Sequence, residues 1–433
     1  MPRLHRAMVS ASIAAPLLFV TAVAHADETP KLDTGDTAWL LVATALVALM
    51  TPGLALFYGG MVRKRNVLST FMHSLFSLAL ISVQWIVFGY SIAFGTTKHG
   101  LIGGFDYVFM RGVPDTQKGT VPHLAFMAFQ MMFAGITPAL ISGAFAERIN
   151  FKAYALFILA WSTFVYDPVA HWVWADGGWL FKMGALDYAG GTVVHLTAGL
   201  SALVTAKLIG KRLGYPGKSF IPHNLTMTLT GAGLLWFGWF GFNAGSALAS
   251  GQPAALALVT THIGASAGAV GWLVAENKHR GKPSALGLAS GLVAGLVAIT
   301  PAAGFVSPMA AIVIGGLAGV VCYVAVVAKS RFGYDDALDV FGVHGVGGIL
   351  GALLTGVFAR KALNSAGNDG ALAGNWKQLG VQAIGVAAAG AYAIVMTFVI
   401  WKIVDAITPA RVSEQDEREG LDTALHGEEG YAD

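Results

Sequence analysis

Two histidines, His195 and His344, stand deep inside apolar stretches, where few ionisable side chains occur. His195 is flanked by Thr192, Val193, Leu196 and Thr197, and His344 by Val343 and Gly345. Each follows a valine, each has an aspartate eight residues earlier (Asp187, Asp336), and each has a glycine four residues later (Gly199, Gly348). Four residues make about one helical turn, so each glycine shares a face with its histidine. Ionisable groups at such depth face protein or a cavity and mark a function by default. One alone would read as a buried neutral imidazole bonded to a backbone carbonyl; two at equivalent positions point to a paired, pore-lining role in which the rings touch. A neutral pair donates a hydrogen from one ring and accepts it on the other. That suits a small polar molecule, or a proton passed between nitrogens, and offers a bare alkali cation no ring of oxygens. Axial haem ligation would need a gap for the macrocycle, whereas these positions imply contact.

The elements that must hold this pair are membrane helices. Only 12% of the 433 residues are charged, 55% are hydrophobic, and Gly 55 with Pro 15 is the mixture favoured in lipid-embedded helices. Mean hydropathy is +0.63. A lone cysteine, Cys322, excludes an intrachain disulfide and multi-cysteine metal or redox motifs, and a net charge of +3 gives no footing for nucleic acid. Apolar segments lie near 37–60, 69–95, 122–144, 152–173, 189–209, 224–246, 255–275, 285–302, 308–328, 340–359 and 380–404. The histidines fall in the fifth and tenth. A second echo, Ile136-Thr137-Pro138-Ala139 against Ile299-Thr300-Pro301-Ala302, again lies five segments apart. Because five is odd, two such units run in opposite orientations, which places a transport route at their interface. The expected fold is an all-α membrane protein with eleven transmembrane helices: an inverted 5+5 repeat (about 37–209 and 224–359) plus an eleventh helix at about 380–404.

Residues 1–26 carry Arg3 and Arg6, an apolar run from Met8 to Val23 and the small-x-small end Ala24-His25-Ala26, the pattern of a cleaved signal peptide. The run is short for a bilayer core of about 30 Å. Cleavage leaves Asp27 outside. Fourteen basic residues, among them Arg63, Lys64, Arg65, Arg148, Lys211 and Arg212, then fall in cytoplasmic loops against seven in external ones, in line with the positive-inside rule. The domains are therefore a signal peptide (1–26), a transmembrane channel domain (27–410) and a cytoplasmic tail (411–433). The expected location is the cytoplasmic (inner) membrane, with the carboxyl terminus inside.

At the outer mouth, the run Gly238-Trp239-Phe240-Gly241-Phe242-Asn243-Ala244-Gly245-Ser246 joins Phe129, Phe133, Trp172 and Trp174. An interfacial aromatic belt explains any one ring but not the glycines between them, which let a permeant species approach. An aromatic face attracts a cation by roughly 0.5 to 2 kcal/mol, and the Ser246 hydroxyl can accept a hydrogen bond from it. Ammonium uses both, because it donates directed hydrogen bonds and potassium donates none. Taking the intact ion through hydrocarbon would cost many kcal/mol, so proton and neutral amine are expected to part.

Gly59-Gly60 with Arg63 and Asn66, the run from Ala146 to Ile149, Gly184-Ala185-Leu186-Asp187, Gly190-Gly191-Thr192-Val193-Val194-His195, the run 238–246 and Asp339-Val340-Phe341-Gly342-Val343-His344-Gly345 together resemble the ammonium transporter (Amt/Mep/Rh) family. The likeness extends from about Asp36 to Tyr431. It implies that Trp174, Ser246 and Phe133 recruit ammonium, that Phe129, Phe133 and Phe242 form an apolar gate, and that His195 and His344 are the pore's twin histidines and proton relay. It also implies a homotrimer. Asp187 matches the family's aspartate near the mouth; its place at a helix start gives it a capping and electrostatic role, with Asp336 its cytoplasmic counterpart. Asp167 departs from the pattern, standing where an apolar residue is expected.

The tail holds Glu414, Asp416, Glu417, Glu419, Asp422, Glu428, Glu429 and Asp433 against Arg418 alone, ordinarily a solvated run. Glu417-Arg418-Glu419-Gly420-Leu421-Asp422, His426-Gly427-Glu428 and Tyr431 resemble the family's ordered tail, which implies docking on the basic inner loops and coupling to a PII signalling protein. The expected activity is ammonium transport; the alternative is an ammonium sensor signalling through the tail. No nucleophile–base pair, cofactor fingerprint or metal-ligand cluster speaks for an enzyme.

Overall fold

A computed structural model describes residues 31–217 and 220–431; the signal-peptide segment 1–26 lies outside the described residues. From Leu32 onward the described chain packs as one unit. Among the described residues, ten helices are long and apolar enough to cross a membrane: α1 (Thr34–Met61), α2 (Lys64–Phe94), α3 (His123–Phe145), α4 (Phe151–Met183), α5 (Gly191–Ile209), α6 (Leu225–Gly245), α7 (Gln252–Arg280), α9 (Pro308–Phe332), α10 (Phe341–Phe358) and α11 (Trp376–Ile407). Between α7 and α9 lies the shorter apolar α8 (Ala285–Ile299). Local chemistry starts several of them. Asp33 accepts the Asp36 N–H at the head of α1, Asn224 accepts the Met227 N–H at α6, and Ser284 and Ser307 cap α8 and α9.

The helix of the expected span 285–302 ends early, at Ile299. In the first copy of the Ile-Thr-Pro-Ala echo the helix continues through Pro138, but in the second it ends at Ile299 and Pro301 sits in a tight turn. The threonines do correspond: Thr137 Oγ1 donates to the Phe133 carbonyl at 2.6 Å, and Thr300 Oγ1 to the Leu296 carbonyl at 2.7 Å.

Glycine replaces side-chain bulk wherever helices meet closely. A Cβ at Gly268 would lie 2.5 Å from the Gly291 carbonyl oxygen, and one at Gly315 only 2.2 Å from that of Gly264, so α7, α8 and α9 touch backbone to backbone. The meeting of α5 and α10 is reciprocal. The stretch after His195 (Thr197–Ile209) packs on the turn carrying His344, and the stretch after His344 (Val346–Phe358) packs on the turn carrying His195. Such exchange means an antiparallel crossing. Gly199 lies against Gly345, where a Cβ would stand 2.0 Å from the Gly345 nitrogen, and Gly348 lies against Leu196, 2.8 Å from its nitrogen. In both cases the residue four after one histidine meets the residue one after the other. Each histidine also sits in a widened π-turn, Gly191–Leu196 or Phe341–Gly345, a distortion common at functional sites.

Two short antiparallel hairpins, Thr97–Lys98 with Ile102–Gly103 and Gln117–Lys118 with Val121–Pro122, lie on the side where α1 and α3 begin, here called the vestibule side. The opposite side carries the tail, whose short helix α12 (Glu414–Glu419) opens with a Ser413–Asp416 capping box. Acidic tail residues bind backbone and arginine there. Glu417 accepts the Leu213 N–H at 2.6 Å and pairs with Arg411 at 2.6 Å, while Asp422 accepts the Leu68 and Ser69 N–H groups at 3.0 and 2.8 Å. Beneath the tail, Glu147 takes hydrogen bonds from Arg63, Asn66 and Arg212, and Arg212 forks onto Asp335 at 2.8 to 2.9 Å.

Candidate functional site

On the vestibule side a pocket of about 110 Å³ is lined by Gln130, Phe133, Trp174, Tyr188, Ser246 and Leu248 among others. Trp174 is fixed from below, its Nε1–H donating to the Asp187 carbonyl at 2.8 Å, and the edge of one ring meets the face of the other between it and Phe133 (centroids 6.0 Å apart, planes at 89°). Ser246 Oγ donates its hydrogen to the Phe242 carbonyl at 2.8 Å, which leaves its lone pairs to accept. A donor-only cation suits that state.

Asp187 accepts four backbone N–H groups at the head of the helix that carries His195. One carboxylate oxygen accepts the N–H groups of Gly190 and Gly191 at 2.9 and 2.6 Å; the other accepts those of Thr192 and Val193 at 2.9 and 3.0 Å. Gly190 turns the chain with φ of 107°, where a Cβ would strike the Val194 side chain. One residue thereby caps the helix of His195 and, through its carbonyl, aims Trp174. Asp336 repeats this less completely. It accepts the Phe341 N–H at 2.8 Å, but its other oxygen has no partner among the described residues. Burial pushes the Asp336 carboxyl up to about 6 against the pull of Lys329. Asp167, standing where an apolar residue is expected, is a buried carboxyl group accepting from Gln84 Nε2 at 2.7 Å.

Below the pocket Phe133 stacks on Phe242, centroids 4.1 Å apart and planes at 26°. Phe133 lines the pocket above and Phe242 the lumen below, so the stacked pair divides the two spaces. Phe129 lines neither; it packs edge-on behind Phe133 with centroids 4.9 Å apart, and Gly245 makes room for its ring. The lumen holds only about 10 Å³ among Ile136, Val194, Trp239, Phe242 and the two histidines, which is at the limit for a single water.

In that lumen the imidazoles meet. Nδ1 of His195 and Nδ1 of His344 are 3.2 Å apart, with ring centroids 5.2 Å apart. A hydrogen bond between two like nitrogens needs one lone pair, so at least one ring is neutral. Trp239 stacks on His195 at 5.3 Å and is held by its own Nε1–H on Thr300 Oγ1 at 2.9 Å. His195 Nε2 is buried without a partner among the described residues, and its ring faces the lumen. Trp239, Gln130 and Tyr188 have places in this site that residue-type reasoning did not assign. The spacing Phe126, Gln130, Phe133 on one helical face would have pointed to Gln130, since all three line the pocket.

Comparison with known proteins finds a family match along the chain. The model of the Ammonium Transporter Family matches residues 38–431. The "Ammonium transporter" of Bacillus subtilis is 50% identical over 403 residues, 92% of this chain and 99% of that protein. Mep2 of Saccharomyces cerevisiae superposes with a TM-score of 0.83 at 38% identity, covering 89% of this chain and 91% of that one. A structure titled "Sensor Amt Protein" gives 0.84 at 29% identity, covering 90% and 98%. On the match along almost its whole length, this chain belongs to the Ammonium Transporter Family.

Proposed function

We propose that this protein carries ammonium across the cytoplasmic membrane by separating it into ammonia and a proton. The observation that carries the reading is the direct contact of His195 and His344 in a lumen too narrow for a hydrated ion. Ammonium is gathered in the vestibule, its charge against the rings of Trp174 and Phe133 and one N–H on Ser246 Oγ. Below, the Phe133–Phe242 stack admits nothing that keeps its water. There an N–H bond breaks, the electron pair stays on nitrogen, and the freed proton travels separately over the two imidazoles while ammonia passes beside them. Asp187 keeps negative charge near the mouth and holds Trp174 in place. Asp336 and the π-turn of His344 serve the opposite end.

In the assembled protein the signal peptide is removed, the vestibule faces outward, and eleven helices in an inverted repeat leave the tail in the cytoplasm. The protein works as a homotrimer. His262 supports this: it lies exposed on the outward face of α7 between Val259 and Val270, stacked on Trp236, and an imidazole there is better placed against protein than lipid. A PII signalling protein approaches the tail side, where the docked segment and the basic loops form one surface. The docked tail also favours the second reading, a sensor of ammonium.

Growth of cells stripped of their own ammonium transporters tests the reading. Expression of this chain should restore growth on scarce ammonium at acidic pH; correctly inserted protein that leaves growth unrestored would favour the sensor.

A further inference from the structure

The two capping aspartates are alike in a second respect. At the end of α4 the Trp174 Nε1–H donates to the Asp187 carbonyl at 2.8 Å, and at the end of α9, five helices on, the Lys329 ammonium group donates to the Asp336 carbonyl at 2.7 Å. Lys329 therefore stands on the tail side where the vestibule side has its tryptophan. The threonine echo supplies a second such pair. Thr137 binds the carbonyl of Phe133 and Thr300 that of Leu296, so an aliphatic side chain is the counterpart of Phe133. Both rings offered to a cation are thus replaced, one by leucine and the other by a cation. The backbone differs at the same place. Three residues after its aspartate the vestibule half has Gly190, with φ of 107°, whereas the tail half has Asp339 at 61°, in the left-handed region that favours glycine. The Asp339 carboxylate pairs with Lys329, so the strained residue is the one that holds the lysine.

We infer that Lys329 makes the two mouths unequal: its tethered ammonium group takes, on the tail side, the place of the ring that gathers ammonium in the vestibule, and so confines recruitment to the vestibule. The group is already bound to a carbonyl and a carboxylate, acceptors that a free ammonium ion would otherwise use. With those acceptors filled and leucine in place of the second ring, ammonium arriving from the tail side is held more weakly than ammonium arriving from the vestibule. A passive route does not alter the equilibrium by this means. The ratio of maximal rate to half-saturating concentration stays equal from the two sides at zero voltage, and what differs is the concentration at which each mouth fills. Lys329 determines that sidedness and Asp339 positions it. This rests on the transport reading above.

Membrane vesicles of the two orientations, recorded on a solid-supported membrane over a series of ammonium concentrations, give the half-saturating concentration from each side. In the parent the tail-side value should be about tenfold the vestibule value. Lys329→Met keeps the length of the side chain and clears the two acceptors, so it should lower the tail-side value by about threefold or more and leave the vestibule value within about twofold of the parent. Lys329→Arg keeps the cation and should keep the parent's sidedness. A purely structural lysine, replaced by methionine, would instead reduce the maximal current from both sides and leave the ratio of the two half-saturating concentrations unchanged. Equal values from the two sides in the parent, which need no variant to fold, or an unchanged ratio in Lys329→Met, overturn the inference. A parent protein giving no ammonium current from either side overturns the transport reading itself.

Discussion

The imidazole pair is the residue-scale centre of this protein, and its neighbours have divided duties. Trp239 and Phe242 wall His195 on its faces, while the shared Nδ1 hydrogen ties it to His344. The proposed recruitment role falls elsewhere, on Trp174, whose N–H is already bound to the Asp187 carbonyl. Trp174→Leu should therefore raise the half-saturating ammonium concentration several-fold, for a loss of roughly 0.5 to 2 kcal/mol, and leave discrimination against potassium in the deep lumen intact. Concentration-dependent currents check this, and an unshifted curve would count against the recruitment role. The histidines were legible in sequence because two ionisable residues recur at equivalent depths, whereas an interfacial belt explains any one ring and the tryptophan was singled out only by the family resemblance. Gln130 was legible only through its spacing with Phe126 and Phe133 on one helical face, and Tyr188 not at all, because a single phenol in a loop carries no periodic signal.

At the scale of elements, the crossing of α5 and α10 sets the distance between the rings. Gly199 and Gly348, four residues after each histidine, were visible as an echo, and the structure gives them a use as the contact points of that crossing. Gly199→Ala would place a methyl 2.0 Å from backbone nitrogen, where neither helix can yield cheaply. Overpacking of this kind costs about 1 to 3 kcal/mol, and it should also spread the histidines, so ammonium current should fall together with the thermal midpoint in detergent. Full current at an unchanged midpoint would mean that the crossing is looser than drawn. The shortening of α8 was not legible, since the same four residues continue one helix and end another. In the second copy Pro301 packs on Gly191, whose Cβ would strike it.

For the whole molecule, the charge cluster under the tail joins loops that are far apart in sequence. Positive-inside counting saw its arginines but not its carboxylates. Burial pushes the Glu147 carboxyl up, but Arg212 and Arg63 outweigh it and hold the group below its ordinary value of 4.5. A depressed acid contributes stability that is complete above about pH 4.5 and lost as pH falls through the folded value. Thermal unfolding in detergent should show that loss on acidification. Glu147→Gln should cost about 3 kcal/mol at neutral pH and flatten the acid limb, because it leaves Arg63 without its carboxylate; a variant with the parent's acid limb would place the loss elsewhere. Tail, charge cluster and crossing all serve one claim, that two touching imidazoles in a dry lumen pass ammonia and a proton but no hydrated cation. The most direct test is a solid-supported membrane recording in which ammonium and potassium pulses are compared for the parent, His195→Ala and His344→Ala. The parent should respond to ammonium alone and both variants should lose selective ammonium current; undiminished selective current in both variants would contradict the claim.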